Sequence, residues 1–187
     1  RRNGLTLSDA DGAALERLPV TATDDPATLG PQDVVLMAVK AQDLSTALPA
    51  VAPLLGPATA VVTMVNGIPW WYAYRGGDLP FTHLDSVDPG GAVWRAIGPE
   101  RAIGCIVRVA ARRTAPGAVH AEGGRLILGE PDGMTSDRLK RIAAYLEAHG
   151  VGAGIAPDIR VEVWRKIWGN LVTSPTGLLT GATIGEI

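Results

Sequence analysis

Two polar side chains stand in the sequence where buried strands are expected to end. Lys40 directly follows an apolar run at residues 33–39, and Asn66 follows a second one at residues 59–65. A continuous apolar run is typical of a parallel strand that is covered on both faces. Ligands of open parallel sheets bind beyond the carboxyl ends of such strands. There, both side chains could donate hydrogen bonds to ribose, phosphate or carboxylate oxygens, although spacing alone favours a solvated lysine and an ordinary Asn-Gly turn.

A second set of polar residues recurs every four positions: Glu162, Lys166, Asn170 and Ser174. Residues at this spacing share one face of a helix, so they predict a polar ridge. Opposite it runs an apolar stripe made of Val161, Trp164, Trp168 and Leu171. The simpler interpretation is a solvated outer face with a weak Glu162–Lys166 ion pair. The functional interpretation is a ridge that faces a cleft, where the ammonium polarises a carbonyl and the asparagine amide holds a hydroxyl.

The elements around Lys40 and Asn66 predict a βαβ unit. Between the two apolar runs, helical spacing relates Leu44, Leu48, Val51 and Leu55. Gly56-Pro57 is expected to end this helix. Strand, helix and strand in this order give parallel strands joined by a right-handed crossover. Lys40 and Asn66 are therefore expected at the same edge of the sheet.

The rest of the chain shows further strand and helix patterns. Short strands are expected at residues 5–7, 20–23 and 151–156, an antiparallel pair at the sheet edge at residues 103–110 and 125–128, and helices at residues 136–149 and from Ile159 onward. We place a domain boundary near Pro157. Residues 1–157 then form a Rossmann-type α/β domain with a mostly parallel sheet, and residues 158–187 begin a second, all-helical domain.

Composition and charge argue against several classes of function. The 187 residues are 47% hydrophobic and 19% charged, which is typical of a globular chain. A formal net charge of −2 without a Lys/Arg tract argues against a nucleic-acid surface. The longest apolar stretch, residues 51–65, is interrupted by Pro53, Gly56 and Pro57, so no membrane span is expected. Cys105, the only cysteine, fits a small buried hydrophobe and a reducing cytoplasm.

Motifs for metals, phosphate loops and serine nucleophiles are not found in the sequence. His83, His120 and His149 lie far apart without partners at ligand spacing, so no metal site is expected. The glycine-rich residues 150–154 follow a predicted helix, whereas a dinucleotide fingerprint lies between a strand and the N-terminus of a helix. A Gly-x-Ser-x-Gly elbow is absent as well, so a serine hydrolase has no support.

Three blocks in succession resemble the ketopantoate reductase family. They are residues 33–41 (DVVLMAVKA), 65–68 (VNGI) and 164–170 (WRKIWGN). Residues 116–131 also resemble the edge hairpin of that family. The resemblance covers essentially the whole chain, and it implies a Rossmann-type domain, a helical domain and an active site between them. It further implies that the family's Gly-x-Gly-x-x-Gly unit and most of its helical domain lie outside this sequence.

The resemblance implies a reaction and a role for each polar residue. The reaction would be the reduction of a 2-keto acid, 2-dehydropantoate to pantoate, with NADPH in cytoplasmic pantothenate and coenzyme A biosynthesis. Lys166 would be the catalytic lysine, and Asn170, Ser174 and Asn66 would bind the substrate. Lys40 and Asn66 would bind the cofactor at its nicotinamide-ribose end. A homodimer is compatible with the resemblance, and no nucleic-acid or membrane partner is expected.

Two departures from the family pattern leave the identity of the keto acid open. Position 174 is Ser where the family often has a second Asn, and Asn66-Gly67 is followed by the unusually aromatic residues 69–72 (PWWY). Those aromatic residues are expected to pack in the core rather than to form a pocket wall. Two other functions stay open: a related two-domain dehydrogenase for another hydroxy acid, and a nucleotide-sensing protein without catalysis. Lys166 together with Asn170 favours an enzyme.

Overall fold

The computed structural model of the protein describes residues 4–8, 14–183 and 185–187. Within these ranges, seven strands form one sheet: β1 Leu5–Ser8, β2 Ala14–Leu18, β3 Gln32–Met37, β4 Leu55–Thr63, β5 Ala102–Ala115, β6 Ala118–Gly129 and β7 Gly152–Ile155. The same ranges contain four α-helices, which are α1 Leu44–Val51, α2 Ala92–Ile97, α3 Asp137–Ala148 and α4 Ile159–Thr180.

The sheet is mixed but mostly parallel. Its strand order is β2-β1-β6-β5-β4-β3, and β7 also pairs with β6. The pairs β3–β4, β4–β5, β1–β6 and β6–β7 are parallel, whereas β1–β2 and β5–β6 are antiparallel. Helix α1 connects the parallel strands β3 and β4, as the βαβ pattern predicts. The predicted fold class, an α/β chain of the Rossmann type, is therefore confirmed.

The antiparallel pair that the sequence places at the sheet edge lies in the middle of the sheet. β5 and β6 form a long hairpin through Pro116-Gly117, with β4 on the other side of β5. Both β1 and β7 pair along β6. The prediction of an edge was wrong because a turn signal reports only which strands are joined. The other partners of each strand are distant in sequence.

The short strand expected at residues 20–23 is also not formed. The second strand of the chain is Ala14–Leu18 instead, and the residues 9–13 that precede it lie outside the described ranges. At position 23 the threonine hydroxyl donates to the carbonyl of Asp25 and accepts from its amide, at 3.0 and 2.9 Å. Such local bonds offer the backbone an alternative to a sheet ladder. They lead into a short 3₁₀ turn at Pro26–Leu29.

Two further expectations for the βαβ unit need correction. Strand β3 is not covered on both faces, because Val35 and Met37 are buried while Val34 and Leu36 are 37% and 50% exposed. The helix expected to run to Leu55 ends at Val51, and a 3₁₀ turn follows. Leu55 is already the first residue of β4. The break coincides with the Pro53 position, where a proline cannot donate a helical hydrogen bond.

Apolar clusters cover the two faces of the sheet. Helices α1, α2 and the start of α4 pack on one face, and α3 packs on the other. Successive residues of a strand point to opposite faces, so Val61 of β4 belongs to the first cluster and Val62 to the second. Helix α3 lies within one residue of its predicted bounds. It begins where the sequence predicts, because the Ser136 side chain caps the N-terminus by accepting a hydrogen bond from the Leu139 amide at 3.2 Å.

Helix α4 begins directly on the sheet. Gly104 of β5 and Gly129 of β6 are cross-strand partners, and Ile159 is fully buried above them. A Cβ added to Gly104 would lie 2.6 Å from Ile159 Cγ1, and one added to Gly129 would lie 2.7 Å from Ile159 Cβ. Asp158 caps the helix by accepting from the Arg160 amide at 2.9 Å. The paired glycines therefore set how closely α4 approaches the strands.

We expect Gly129→Ala to destabilise the fold by about 1–3 kcal/mol, the usual cost of overpacking a close contact. The added methyl group meets Ile159 Cβ, which cannot move without its helix. Gly169→Ala is the matched control, because a Cβ at that position in α4 meets nothing within 4 Å. Urea unfolding should show this control to be neutral or stabilising, by up to about 1 kcal/mol. Equal urea midpoints for wild type and Gly129→Ala would contradict the close packing of Ile159 on Gly129.

Candidate active site

The strand register brings three positions to one level at the carboxyl edge of the sheet. Met37 pairs with Thr63, and Thr63 pairs with Gly104. Three residues further along each strand direction stand Lys40, Asn66 and Val107. Neighbouring strands lie about 4.8 Å apart, and all three strands run in parallel here. Lys40 and Asn66 therefore follow strands that end at the same edge of the sheet, and β5 continues past that edge through Val107.

Helix α4 brings Lys166 to β5 beyond this edge of the sheet. Its Nζ donates a hydrogen bond to the Val107 carbonyl oxygen at 2.5 Å, and the side chain is half-buried. The pairing of β4 with β5 ends at Thr63 and Gly104, so the ammonium meets β5 beyond the end of β4. Lys40 and Asn66 are both exposed. Lys40 and Asn66 follow the carboxyl ends of β3 and β4, the region where parallel sheets bind ligands, and Lys166 meets β5 just beyond it.

Burial lowers the pKa of Lys166 below the ordinary lysine value. The positive charge of Arg108 lowers it further, whereas the Cys105 thiol acts in the opposite direction. Burial raises the pKa of Cys105 to about 12, so this thiol stays neutral as the small core residue that the sequence predicts. Among the described residues, no carboxylate pairs with Lys166 within 4.0 Å. Its hydrogen-bond partner is a neutral carbonyl, so its charge is free to act on a ligand.

The ion pair between Glu162 and Lys166, which belongs to the simpler interpretation of the ridge, is not formed. Glu162 contacts Arg108 at 3.3 Å and also contacts Arg165, three residues further along the helix. Its side chain is only 13% exposed. Pairing Glu162 with arginines removes the carboxylate that would otherwise have neutralised Lys166.

The orientation of α4 is the reverse of the one in the simpler interpretation of the sequence, which has the polar ridge in solvent and the apolar stripe packed inward. Glu162 and Lys166 face the sheet and are half-buried, whereas the apolar stripe is open: Trp164 is 53%, Trp168 76% and Leu171 63% exposed. Val161 of the same stripe is exposed as well. The helix is buried only at Ile159 and Val163, so contact with the sheet is confined to its first half.

Asn170 and Ser174 lie one and two turns beyond Lys166. Both side chains are exposed, on the helix face that four-residue spacing shares with Lys166. Lys166 thus meets β5 beyond the edge at which β3 and β4 end, and Lys40 and Asn66 follow those two strands in the chain. The other two predicted substrate residues continue along the ridge, beyond the buried half of α4.

The aromatic residues after Asn66 are packing residues, as expected. Trp70 and Trp71 are each 1% exposed, and the Trp70 indole N–H donates to the Thr63 hydroxyl at 3.0 Å. A Cβ at Gly104 would lie 2.7 Å from the Trp71 ring, so this ring sits beside Ile159 over the glycine pair. The segment that carries Asn66 is therefore anchored in the core that seats α4.

One residue of this region escapes sequence reasoning altogether. Arg160, in the first turn of α4, donates to the carbonyl oxygens of Tyr72, Tyr74 and Pro131. It belongs to neither the polar ridge nor the apolar stripe. Its partners lie 29 to 88 residues away in sequence, so no local pattern signals the contact.

Other parts of the described chain do not bring the predicted site residues together. A cleft of about 780 Å³ lies beside β3 and α3, lined among others by Val34, Leu36 and Tyr145, but by none of Lys40, Asn66 or Lys166. The described residues include no group of three or more His, Cys, Asp or Glu side chains placed to hold a metal ion. The helices of this part of the chain include none with the length and apolar character that crossing a membrane requires.

Known proteins resemble the chain in sequence. Residues 1–76 match the sequence model of the family "Ketopantoate reductase PanE/ApbA". Over 187 residues the chain is 48% identical to a 2-dehydropantoate 2-reductase of Mesorhizobium japonicum, a match that covers 99% of this chain and 57% of that relative. Over almost its whole length, the chain is thus similar to a member of the ketopantoate reductase family.

Solved ketopantoate reductases share the fold. The crystal structure of a protein assigned as a ketopantoate reductase from Ralstonia solanacearum matches with a TM-score of 0.90 at 44% identity, over 97% of this chain and 56% of that one. The 2-dehydropantoate 2-reductase of Geobacter metallireducens matches with a TM-score of 0.73 at 26% identity, over 94% and 52%. The chain spans about half the length of the ketopantoate reductases that it matches.

We expect Lys166 to lose its proton at a lower pH than a lysine in a short peptide, because burial disfavours the ammonium. Lys40, Lys140 and Lys166 are the lysines of the chain, so ¹³C-dimethylation gives few NMR signals to assign and titrate. Arg108→Gln should raise the Lys166 pKa, since a repelling charge is removed. A signal of Lys166 that titrates like the peptide, or that Arg108→Gln leaves in place, would contradict this environment.

Proposed function

We propose that the protein is an oxidoreductase that reduces 2-dehydropantoate to pantoate with NADPH. The observation that carries the proposal is the position of Lys166, a half-buried ammonium that has no carboxylate partner among the described residues and binds β5 beyond the edge at which β3 and β4 end. The 48% identity to a 2-dehydropantoate 2-reductase supports the same substrate. A protein that catalyses the reaction of that relative takes part in pantothenate and coenzyme A biosynthesis, and we place it in the cytoplasm.

Residues at the carboxyl edge fit one end of a nicotinamide dinucleotide. Lys40 and Asn66 are exposed there and together offer ammonium and amide donors for ribose and phosphate oxygens. The bound cofactor supplies the hydride that the keto carbon receives. The Gly-x-Gly-x-x-Gly element that binds the pyrophosphate in such folds is not part of this sequence. The choice of NADPH over NADH rests on the family alone.

Lys166 has the chemistry that carbonyl reduction needs. When hydride adds to a carbonyl carbon, negative charge builds on the oxygen, and an ammonium beside it stabilises that charge. Lys166 then gives its proton to the oxygen, and its lowered pKa makes it a stronger acid for this step. In this proposal Asn170, one turn further, holds a substrate hydroxyl, and Asn66 and Ser174 complete the binding groups.

Lys166→Ala should lower kcat by about 10²–10⁴-fold, the usual worth of an acid that also stabilises developing charge. Lys166→Arg should recover only part of it, because a guanidinium is a poor proton donor. Lys140→Ala is the matched control: it removes another lysine, whose side chain is 58% exposed on α3 and pairs with Asp137, and should keep wild-type turnover. The measurement is NADPH oxidation with 2-dehydropantoate by the protein that carries this chain. A folded Lys166→Ala protein with near-wild-type kcat would remove the catalytic role.

The pH dependence of turnover should follow the same group. The protonated lysine is the active form, so kcat should fall as pH rises through the pKa of Lys166. Since that pKa is lowered, the fall begins at a lower pH than an ordinary lysine would give. Arg108→Gln should shift the basic limb of the profile to higher pH. A basic limb that Arg108→Gln leaves unmoved would assign it to another group.

Ser174→Asn should change the preference between 2-dehydropantoate and smaller 2-keto acids. A hydroxyl is shorter than an amide and offers one donor hydrogen rather than two. The amide would restore the side chain that the family often carries at this position. Ratios of kcat/KM across a panel of 2-keto acids measure the effect. Unchanged ratios would show that Ser174 does not contact the substrate.

We also propose the division into domains, with residues 158–187 as the start of a helical substrate domain. The exposed second half of α4 supports this, because its tryptophan and leucine side chains form an apolar surface. The homodimer stays a prediction that sedimentation of the protein would test.

A further inference from the structure

Arg160 joins three backbone segments around the candidate site. Its Nε and one terminal nitrogen donate to the Tyr72 carbonyl oxygen at 3.0 and 2.8 Å. That same terminal nitrogen donates to the Tyr74 carbonyl oxygen at 2.6 Å. The other terminal nitrogen donates to the carbonyl oxygen of Pro131, which follows β6. We call this set of contacts the Arg160 clamp.

The clamp is built from main-chain acceptors rather than from an ion pair. Arg160 is half-buried, and burial lowers its pKa. Among the described residues no carboxylate lies within 4.0 Å of its guanidinium nitrogens, in contrast to Arg138, which contacts Glu130 at 2.6 Å. A planar guanidinium has five N–H donors in a fixed geometry, so several carbonyls bound to it are held at fixed positions.

Neighbouring contacts add to the same junction. The Arg160 guanidinium carbon lies 5.5 Å from the centre of the Tyr72 ring, and the Trp164 indole N–H donates to the Tyr72 hydroxyl at 2.8 Å. Arg75 pairs with Asp132 at 2.9 Å, which ties the end of the aromatic segment to the turn after β6. Residues 70–75, the turn after β6 and the first turns of α4 therefore form one connected unit.

This unit links the two halves of the candidate site. The aromatic segment follows Asn66 directly in the chain, and Arg160 precedes Lys166 by six residues on the same helix. We propose that Arg160 is a positioning residue that fixes the distance between Asn66 and Lys166, so that both reach one bound substrate. The inference rests on the proposed function, because it concerns the geometry of that reaction.

Two variants and a matched control test the clamp. Arg160→Met keeps the length of the side chain but removes its donors, and Arg160→Lys keeps the charge with three donors on a single nitrogen. Arg101→Met is the control, because Arg101 also binds main-chain carbonyls, those of Ile97 and Gly56. Gly56 lies near the start of β4 and Asn66 beyond its end, so the control acts at the opposite edge of the sheet.

We expect Arg160→Met to lower kcat/KM for 2-dehydropantoate by about 10–100-fold, since misplacing reacting groups by about an ångström can cost that much. The loss should lie mainly in kcat, and Arg160→Lys should recover part of it. Hydrogen–deuterium exchange of residues 66–76 should be faster in Arg160→Met than in wild type. Arg101→Met should leave kcat/KM and the exchange of residues 66–76 unchanged, even when it lowers the thermal stability as much as Arg160→Met does.

The results separate the clamp from the proposed function. A wild-type protein that reduces no 2-keto acid refutes the proposed function, and the exchange measurement alone then decides whether the clamp holds the segment. If wild type is active but Arg160→Met and Arg101→Met lose the same kcat/KM, Arg160 is only a stabilising residue and the proposal is overturned. Unchanged exchange of residues 66–76 in Arg160→Met overturns it as well.

Discussion

The side chain of Ile159 lies against two strand positions that have no Cβ. Gly104 and Gly129 face each other across the β5–β6 hairpin, and a methyl group on either would come within 2.7 Å of Ile159. Interiors pack at nearly crystalline density, so this contact leaves α4 little freedom at its first residue. A helix advances about 1.5 Å per residue, so Lys166 stands about 10 Å further along the helix axis. The level at which its ammonium meets Val107 follows from that starting point.

Two opposing effects act on the Lys166 ammonium, and their balance gives it a chemical use. Burial disfavours the charge, while the hydrogen bond to the Val107 carbonyl favours it. The pKa of Lys166 is lowered because burial, together with the positive charge of Arg108, outweighs the opposing effect of the Cys105 thiol. A carboxylate in contact would reverse this, because an opposite charge raises the pKa of a lysine. Glu162 lies one turn before Lys166, and its pairing with Arg108 and Arg165 keeps it from that role.

Sequence reasoning predicted the local parts of this structure well. Helix α3 lies within one residue of its predicted bounds because a serine cap and the Gly150 stop are adjacent to it in sequence. The edge that carries Lys40 and Asn66 followed from the βαβ order, which admits few arrangements. The hairpin position, the exposed face of β3 and the Arg160 clamp depend on contacts between residues far apart in the chain. The periodicity of apolar and polar residues in the sequence does not indicate such contacts.

The orientation of α4 was the least predictable feature, and its cause lies in how helices are usually buried. An apolar stripe normally packs inward, so the tryptophans at 164 and 168 suggested a wet polar ridge. Only Ile159 and Val163 are buried, and the ridge side of α4 meets β5 through Lys166. Lys166 is half-buried, and the ridge residues beyond it are exposed. It thus stands where the ridge passes from contact with β5 to the exposed part of α4. For the proposed reaction this position has a physical advantage, because an ammonium held by the sheet keeps its place while the exposed turns beyond it leave room for a substrate.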